Sequence, residues 1–234
     1  MQRAEGVIKS QSRDSISPTS PILRLAGLIV EASATVSSAI LSTKISPLLL
    51  PHYAMLDSPE AEMSVTVAVS PTQLSWTDFA PVDRLPDGSG DEAQTATTMP
   101  PLSGIRPVSA QGKFMLPDLT LKVGLDRTQT LVLRSAQQTP ELLKHEQGHF
   151  DITVLTVCAM AKELEELKVG SPAALGQQLT AILSKHQQRA DMLEVKYDKE
   201  TKGSRDPDVQ KTWNQAIDAA MRGSGVSILQ GMPL

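Results

Sequence analysis

The sequence has little of several residue types, and each shortage excludes a class of protein or site. One cysteine, Cys158, occurs among 234 residues, which excludes an intramolecular disulfide framework and a zinc site built from several cysteines. Three Phe, two Trp and two Tyr leave most of the core to aliphatic side chains and Met. No uninterrupted apolar run reaches the roughly 18 residues of a membrane helix, so no confident membrane span is expected. The net charge of −4 gives no overall basic surface, so nucleic acid is not an expected partner.

The composition divides the chain into three regions. Residues 1–58 are rich in Ser, Thr and Pro and are predicted to form an N-terminal extension. Residues 59–222 are expected to form one domain, and residues 223–234 a frayed C-terminal tail. Residues 25–30 read Leu-Ala-Gly-Leu-Ile-Val between basic and small residues, as in an export signal, but the run is shorter than the usual ~7–15 residues. A flexible extension with a marginal amphipathic helix is the alternative interpretation.

The first half of the predicted domain has the pattern of short strands. Between residues 63 and 69, apolar side chains alternate with polar or small ones, as in a half-buried strand. Residues 81–112 are rich in Pro, Gly, Ser, Asp and Thr and are predicted to be a long loop. Further strand candidates are residues 114–116, 119–123 and 130–133. Because the connections between these candidates are too short for helical crossovers, the pattern predicts an antiparallel sheet.

From residue 139 onward the apolar period becomes helical. Thr139 is a suitable N-cap with Pro140 at the first helical position, and this helix is expected to end near residue 168. Ser171 and Pro172 begin a second helix in the same way, and a third is predicted over residues 208–221. The expected fold class is therefore α+β. A small antiparallel sheet and the second helix are expected to enclose the long first helix, with the third helix following.

Residues 145–149 read His-Glu-Gln-Gly-His and form the main candidate site. Two histidines four residues apart lie on one helix face, so His145 and His149 could share a tetrahedral Zn²⁺ ion. Glu146 is rotated by about 100° from His145, within reach of a water on the metal but not itself a ligand. Zinc lowers the pKa of such a water, and Glu146 would take its proton and later pass it to the leaving amine.

The alternative interpretation of this motif is a pair of surface histidines on an exposed helix. Gly148 favours a functional interpretation, because a glycine inside a helix costs about 1 kcal/mol against Ala. A close approach by substrate or backbone would explain its presence there.

A catalytic zinc ion needs a third protein ligand. Ile152 and Leu155 stand where the metzincin pattern would place Gly and His, which excludes that class. If the first two helices form an antiparallel hairpin, residues 191–195 lie level with the histidines. The candidates on the second helix are Asp191, Glu194, Asp198 and His186. Height along the helix axis favours the acids as ligands, whereas His186 lies on the apolar stripe that is expected to face the first helix. The alternative interpretation of His186 is a hydrogen-bonded core histidine.

Three stretches resemble a bacterial family of predicted secreted zinc-dependent proteases that has long been catalogued as a domain of unknown function. The specific one is His-Glu-Gln-Gly-His-Phe-Asp at residues 145–151. Leu-Ser-Trp-Thr-Asp-Phe at residues 74–79 and Tyr-Asp-Lys-Glu-Thr at residues 197–201, with Gln210, Trp213 and Asn214 beyond, are similar to its opening and closing segments. The resemblance spans about residues 64–220. It implies a zincin-like metallopeptidase exported to the periplasm or beyond, although the weak signal leaves a cytoplasmic location open.

Two adjacent positions depart from the family pattern. The closing motif of the family continues Thr-x-His-Gly, and its histidine is a candidate third ligand; here Gly203 and Ser204 stand in those positions. Asp198 matches an aspartate of the family and is the substitute candidate, followed by Glu194 and His186. Asp151 also matches, but it points about 200° away from His149 and is interpreted as a buried or helix-pairing acid. Trp76, Phe79 and Trp213 are interpreted as core residues.

Two functions follow as expectations. The first is a zinc metalloendopeptidase acting on a peptide or protein substrate, with Glu146 as the catalytic residue and His145, His149 and Asp198 as metal ligands. The second is a degenerate relative, a zincin-fold binding or assembly protein that has lost its third ligand. Edge strands often hold the substrate of zincins, and residues 130–133 or 114–116 are the candidates for that role.

Overall fold

The structure is a computed structural model that describes residues 64–86, 90–98, 102, 105–223 and 228–234. The predicted N-terminal extension, with its candidate export signal, lies outside the described residues. The described part combines small sheets with three helices, which confirms the α+β class. Its strands are β1 (Val65–Ser70), β2 (Ala80–Val82), β3 (Ala93–Gln94), β4 (Thr97–Thr98), β5 (Val108–Ala110), β6 (Lys113–Met115), β7 (Leu119–Leu125), β8 (Leu131–Leu133), β9 (Ile228–Leu229) and β10 (Met232–Pro233).

The prediction of an antiparallel sheet is wrong for the two longest-range pairings. β1 pairs with β7 in parallel, from Val65 opposite Leu119 to Ser70 opposite Gly124, and β2 pairs with β8 in parallel. The remaining strands pair antiparallel, as in β4 with β7 and β3 with β8. The chain that separates β1 from β7 is long enough to return to the starting end of the sheet. The prediction considered only the short connections between successive strands, whereas these parallel pairs join strands that are remote in the sequence.

The segment predicted as a long loop, residues 81–112, contains several short strands. β3 and β4 lie within it, together with β5 and the end of β2. Runs of two or three residues are too short to show a period of two in the sequence, and the ladder partners of β3 and β4, which are β8 and β7, are remote in the chain. This segment is also the one that brings the sheets to the candidate site.

The first two helices begin directly after their predicted capping residues, and the third begins at residue 207, one residue before its predicted start. Helix α1 (Pro140–Glu165) has Thr139 as N-cap, whose hydroxyl accepts a hydrogen bond from the amide of Leu142 at 3.1 Å. Helix α2 (Pro172–Thr201) is capped in the same way by the Ser171 hydroxyl. Helix α3 (Pro207–Arg222) begins after Asp206 and ends at Gly223.

Helix α1 lies between the sheets and the other helices, as expected. One of its faces contributes Phe150 and Val154 to a core with β7 and the first half of α2. Another face contributes Ile152 and Leu155 to a second core with α2, α3 and the C-terminal strands. Of the three aromatic residues expected in the core, Phe79 and Trp213 are buried, and Trp76 is partly buried against the first core. Packing on both faces therefore fixes the position of α1, whose first half carries the candidate site.

The C-terminal tail is not frayed over residues 228–234. β9 and β10 form a small antiparallel hairpin, and Leu229 and Leu234 are buried in the second core. A guanidinium nitrogen of Arg189 donates to the carbonyl of Leu234 at 2.7 Å. Along the described ranges, no helix has the length and apolar character needed to cross a membrane.

Neither strand predicted to hold a substrate is free to do so. β8 is the central strand between β2 and β3, so both of its edges are paired. β6 pairs with β5, and Phe114 on its other side exchanges backbone hydrogen bonds with Val169 at 2.7 and 2.9 Å. Those two predictions are wrong because they depended on which strands form the edges of the sheets, which the sequence does not reveal.

Candidate metal centre

Three potential ligand atoms converge on the first half of α1. His145 and His149 are buried, and their Nε2 atoms lie 3.2 Å apart. The Oδ1 atom of Asp198, from α2, lies 3.2 Å from Nε2 of His145 and 2.9 Å from Nε2 of His149. The three atoms form a nearly equilateral triangle. Among the described residues, they are a group that could hold a metal ion.

The hairpin of α1 and α2 explains why Asp198 reaches the histidines. The prediction that acids at this level face away from α1 is wrong for Glu194 and Asp198. The second half of α2 packs against α3 as well as α1, through Leu193 and Tyr197, so its buried face is broader than the apolar stripe alone suggests. Glu194 is buried, and the side chain of Asp198 is 38% exposed at the rim of that face.

The other candidate ligands lie elsewhere. Nε2 of His186 lies 2.9 Å from Glu163, so His186 is the hydrogen-bonded core histidine of the alternative interpretation. Asp191 accepts a hydrogen bond from Gln187 on its own helix. Asp151 accepts one from Gln147 at 2.7 Å, and burial raises the pKa of its carboxyl, as the interpretation of a buried acid predicts.

An outer partner orients each histidine through its other ring nitrogen. Nδ1 of His145 donates to Oε1 of Gln210 at 3.0 Å, and Nδ1 of His149 contacts Oε2 of Glu194. With the Nδ1 proton directed to these acceptors, the Nε2 lone pairs face each other and Asp198. Metal-binding histidines in proteins are held in this manner.

Helix α3 fixes the outer partner of His145. The side-chain amide nitrogen of Gln210 donates to the Tyr197 hydroxyl at 2.6 Å and to Oδ1 of Asn214 at 2.9 Å. These donations direct the amide oxygen toward His145. The hydroxyl of Tyr197 donates in turn to the carbonyl of His145 at 3.1 Å, and its ring stacks on the imidazole with centroids 4.7 Å apart.

The charges of the site depend on one another. Burial lowers the pKa of the His149 imidazole, but Asp198 and Glu194 outweigh this effect and raise the pKa well above its usual value. Burial raises the pKa of Asp198, but the histidines outweigh it and hold the pKa below its ordinary range. Burial also raises the pKa of the Glu194 carboxyl despite the opposing effect of His149. A positive charge on or between the rings, from a proton or a metal ion, therefore stabilises the carboxylates.

Glu146 lies on the same helix and is almost fully buried. Its Oε2 accepts a hydrogen bond of 2.7 Å from the hydroxyl of Thr95, which lies between β3 and β4. Burial raises the pKa of the Glu146 carboxyl, and the two histidines and Thr95 oppose this effect. The electrostatic effect of both histidines on this carboxyl places Glu146 near the ligand atoms.

Gly148 faces the ring of Tyr197 on α2. A Cβ added at Gly148 would lie 2.6 Å from Cζ of Tyr197, well inside van der Waals contact. The close approach predicted at this glycine therefore exists, but the approaching group is a side chain rather than substrate or backbone. Because Tyr197 also supports His145, Gly148 allows the two helices to come close enough to assemble the site.

Gly148→Ala is expected to destabilise the fold. Overpacking costs about 1–3 kcal/mol, and displaced buried hydrogen bonds of Tyr197 cost about 1–3 kcal/mol more, against a gain of about 1 kcal/mol in helix propensity. We expect the free energy of unfolding in urea to fall by about 2 kcal/mol or more. Gly170→Ala is the matched control, since its added Cβ meets no atom within 4 Å in the described part of the chain. Equal stability of the two variants would contradict the close approach.

Glu194→Gln is expected to weaken metal binding without removing a ligand. The substitution keeps the size of the side chain but removes the charge that faces His149. Loss of such an outer partner typically costs about 10–100-fold in metal affinity or activity. Competition with a chromogenic zinc chelator measures the affinity, and Glu163→Gln on α1 serves as a control outside the site. An unchanged affinity would show that Glu194 does not act on the metal through His149.

The structure adds three residues that sequence reasoning did not assign to the site: Tyr197, Gln210 and Thr95. Gln210 belongs to the closing segment of the resembled family, so the signal existed, but its contact with His145 depends on how α3 packs. Thr95 lies in the segment predicted as a loop and carried no signal. Gly203, where the family pattern expects histidine, follows the end of α2 in left-handed backbone with φ of +61°.

A family model described as "Bacterial protein of unknown function (DUF922)" matches residues 108–206. This stretch includes both histidines, Glu146 and Asp198, and it ends before Gln210. The resemblance stated from the sequence is confirmed over these residues, whereas the segments at residues 74–79 and 210–214 lie outside the match. No curated protein and no solved structure matches the chain.

Proposed function

We propose that this chain, whose residues 108–206 match the DUF922 family model, is a zinc-dependent metallopeptidase. The observation that supports it best is the triangle of His145 Nε2, His149 Nε2 and Asp198 Oδ1 with Glu146 beside it. Two imidazoles and a carboxylate, with a fourth position for water or substrate, form the ligand set of many catalytic zinc sites.

The spacing of the ligand atoms fits a tetrahedral zinc ion. Zinc bonds of 2.0–2.1 Å imply neighbouring ligand atoms about 3.3–3.4 Å apart at a tetrahedral angle. The three observed separations, 3.2, 3.2 and 2.9 Å, are close to this value. With both Nδ1 protons directed outward, the two facing Nε2 atoms are placed to share a proton or a metal ion.

The charge balance also favours a cation. Glu146 and Glu194 are each no more than 2% exposed, and Asp198 lies beside the same two histidines. The buried Oε1 of Glu194 has no hydrogen-bond partner among the residues that the structure describes. A divalent cation held by the histidines would offset these negative charges, whereas neutral imidazoles would leave them uncompensated.

The proposed mechanism gives the metal, Glu146 and the surrounding residues separate roles. Zinc, when bound, supplies a Lewis acid that polarises the peptide carbonyl and lowers the pKa of water. Glu146 accepts a proton from the attacking water and later donates it to the nitrogen of the leaving amine. Its burial, which raises the pKa of the carboxyl, favours the protonated form that this second step requires. His145, His149 and Asp198 hold the metal, while Gln210 and Glu194 hold the rings.

We also propose that the arrangement is zincin-like. A helix carrying both histidines and the glutamate packs against sheets on one face, and the third ligand comes from the following helix. The expected substrate is a peptide or protein. Export to the periplasm or beyond remains the expectation drawn from the family resemblance.

The degenerate alternative depended on the glycine at residue 203. Because Asp198 could supply a third ligand atom, a site with three ligands does not require a histidine at residue 203. The missing histidine therefore does not support the degenerate alternative. That alternative still predicts that the protein does not hydrolyse peptides.

The experiment is hydrolysis of dye-labelled casein by the purified full chain. We expect cleavage that the zinc chelator dipicolinate stops and added zinc restores. His149→Ala should remove it, whereas His186→Ala, which removes a buried histidine outside the site, should retain it. A zinc-loaded chain that cleaves neither casein nor a diverse peptide library would favour the degenerate alternative.

A further inference from the structure

Thr95 is held firmly where the two sheets meet. It lies between β3, which pairs with β8, and β4, which pairs with β7. The amide of the next residue, Ala96, donates to Oγ1 of Thr130 at 3.2 Å, and its carbonyl accepts from the amide of Asp126 at 2.9 Å and from Oγ1 of Thr130 at 3.1 Å. The position of the Thr95 side chain is therefore set by the sheets and not by α1.

We infer that Thr95 is a positioning residue for Glu146, and this inference rests on the proposed function. The 2.7 Å hydrogen bond joins Oγ1 of Thr95 to Oε2 of Glu146, and both residues are 2% exposed. The hydroxyl has a single proton, which it donates because an ionised carboxylate can only accept. This hydrogen bond ties the Glu146 side chain to the segment that joins the two sheets.

This bond determines how the carboxyl group of Glu146 is presented. The last torsion of a glutamate is broad and nearly two-fold, so the helix alone does not fix the plane of the group. With Oε2 engaged by Thr95, proton acceptance from the attacking water falls to Oε1. The bond also opposes rotation of Glu146 toward the two histidines, where it would compete with Asp198 as a ligand. Thr95 thus separates the proton-transfer residue from the metal ligands.

A stability cycle tests the bond without any measurement of activity. Thr95→Val keeps the shape of the side chain and removes the donor. In the zinc-loaded full chain it should lower the urea midpoint of unfolding, and in the Glu146→Ala background it should lower the midpoint less, because the acceptor is already absent. Equal shifts in both backgrounds would overturn the inference, since no coupling would exist between the two side chains.

Kinetics on dye-labelled casein test the role of the bond. We expect Thr95→Val to keep its zinc, to change KM by less than about twofold and to lower kcat by about 10–100-fold, as the loss of a supporting partner does. Thr95→Ser restores the hydroxyl and should recover most of kcat. A wild-type kcat in Thr95→Val, or a Ser variant as impaired as the Val variant, would overturn the positioning role.

The two proposals fail in different ways. If the zinc-loaded wild type hydrolyses neither casein nor the peptide library but the stability cycle shows coupling, the peptidase proposal fails and Thr95 is a structural partner of Glu146. If the wild type hydrolyses casein and Thr95→Val is unimpaired, the peptidase proposal stands and the inference on Thr95 is wrong. If Thr95→Val does not fold, Thr95→Ala replaces it as the variant without the donor, and Thr95→Ser remains the variant that keeps the donor.

Discussion

Glu146→Gln is expected to lower kcat for peptide hydrolysis by about 10²–10⁴-fold while the protein keeps its zinc. The substitution preserves the shape of the side chain, and its amide oxygen can still accept the hydrogen bond from Thr95. An amide cannot accept a proton from water and pass it to the leaving amine, so the proton-transfer step is lost. Neither histidine nor Asp198 is altered, which is why the metal should remain.

The measurement is kcat on dye-labelled casein together with zinc content by elemental mass spectrometry. Glu141→Gln, at an exposed position in the first turn of the same helix, is the matched control and should behave as the wild type. A Glu146→Gln variant that keeps both its zinc and its full kcat would contradict the proposed mechanism. Joint loss of zinc and activity would instead assign Glu146 to the metal ligands.

Asp198→Ala is expected to weaken zinc binding by more than about 100-fold, the upper end of the loss that removal of an outer partner causes. It removes a ligand atom that lies 2.9 Å from Nε2 of His149 and 3.2 Å from Nε2 of His145. The substitution also removes a negative charge that raises the pKa of His149, so a proton would compete less with the metal for this ring. We expect the loss of a ligand atom to outweigh that gain. Hydrolysis should fall in parallel at zinc concentrations that saturate the wild type.

Asp191→Ala is the matched control, because it removes the same side chain from the same helix seven residues earlier. Asp191 accepts a hydrogen bond from Gln187 and lies outside the triangle of ligand atoms. Both variants would be compared by competition with a chromogenic zinc chelator. Equal affinities in the two variants would exclude Asp198 as the third ligand and direct attention to Glu194.

The helices and the motif on α1 were predictable because their signals are local. A threonine or serine before a proline sets the start of α1 and α2, and the i, i+4 spacing alone places both histidines on one face. The pairing of β1 with β7 was not predictable, because it joins residues more than fifty positions apart and each strand shows only its own period. That long separation permits the parallel direction, which a short connection would exclude.

Two lines of sequence reasoning gave different answers for the candidate third ligand, Asp198. Counting residues from the hairpin turn placed Asp198 near the level of the histidines, but the apolar stripe of α2 favoured His186. The level argument succeeded because helix rise is constant, whereas the face argument ignored α3, which widens the buried side of α2. Gln210 and Thr95 reach the site only through the packing of α3 and of the sheets, so their roles required the structure.

Zinc content of the purified protein, with His145→Ala beside the wild type, tests the central claim most directly. The account predicts close to one zinc ion per chain in the wild type and loss of that zinc in the variant, since a site with two remaining ligands binds zinc poorly. Wild-type protein that takes up no zinc after incubation with excess metal, or a His145→Ala variant that keeps a full equivalent, would contradict it.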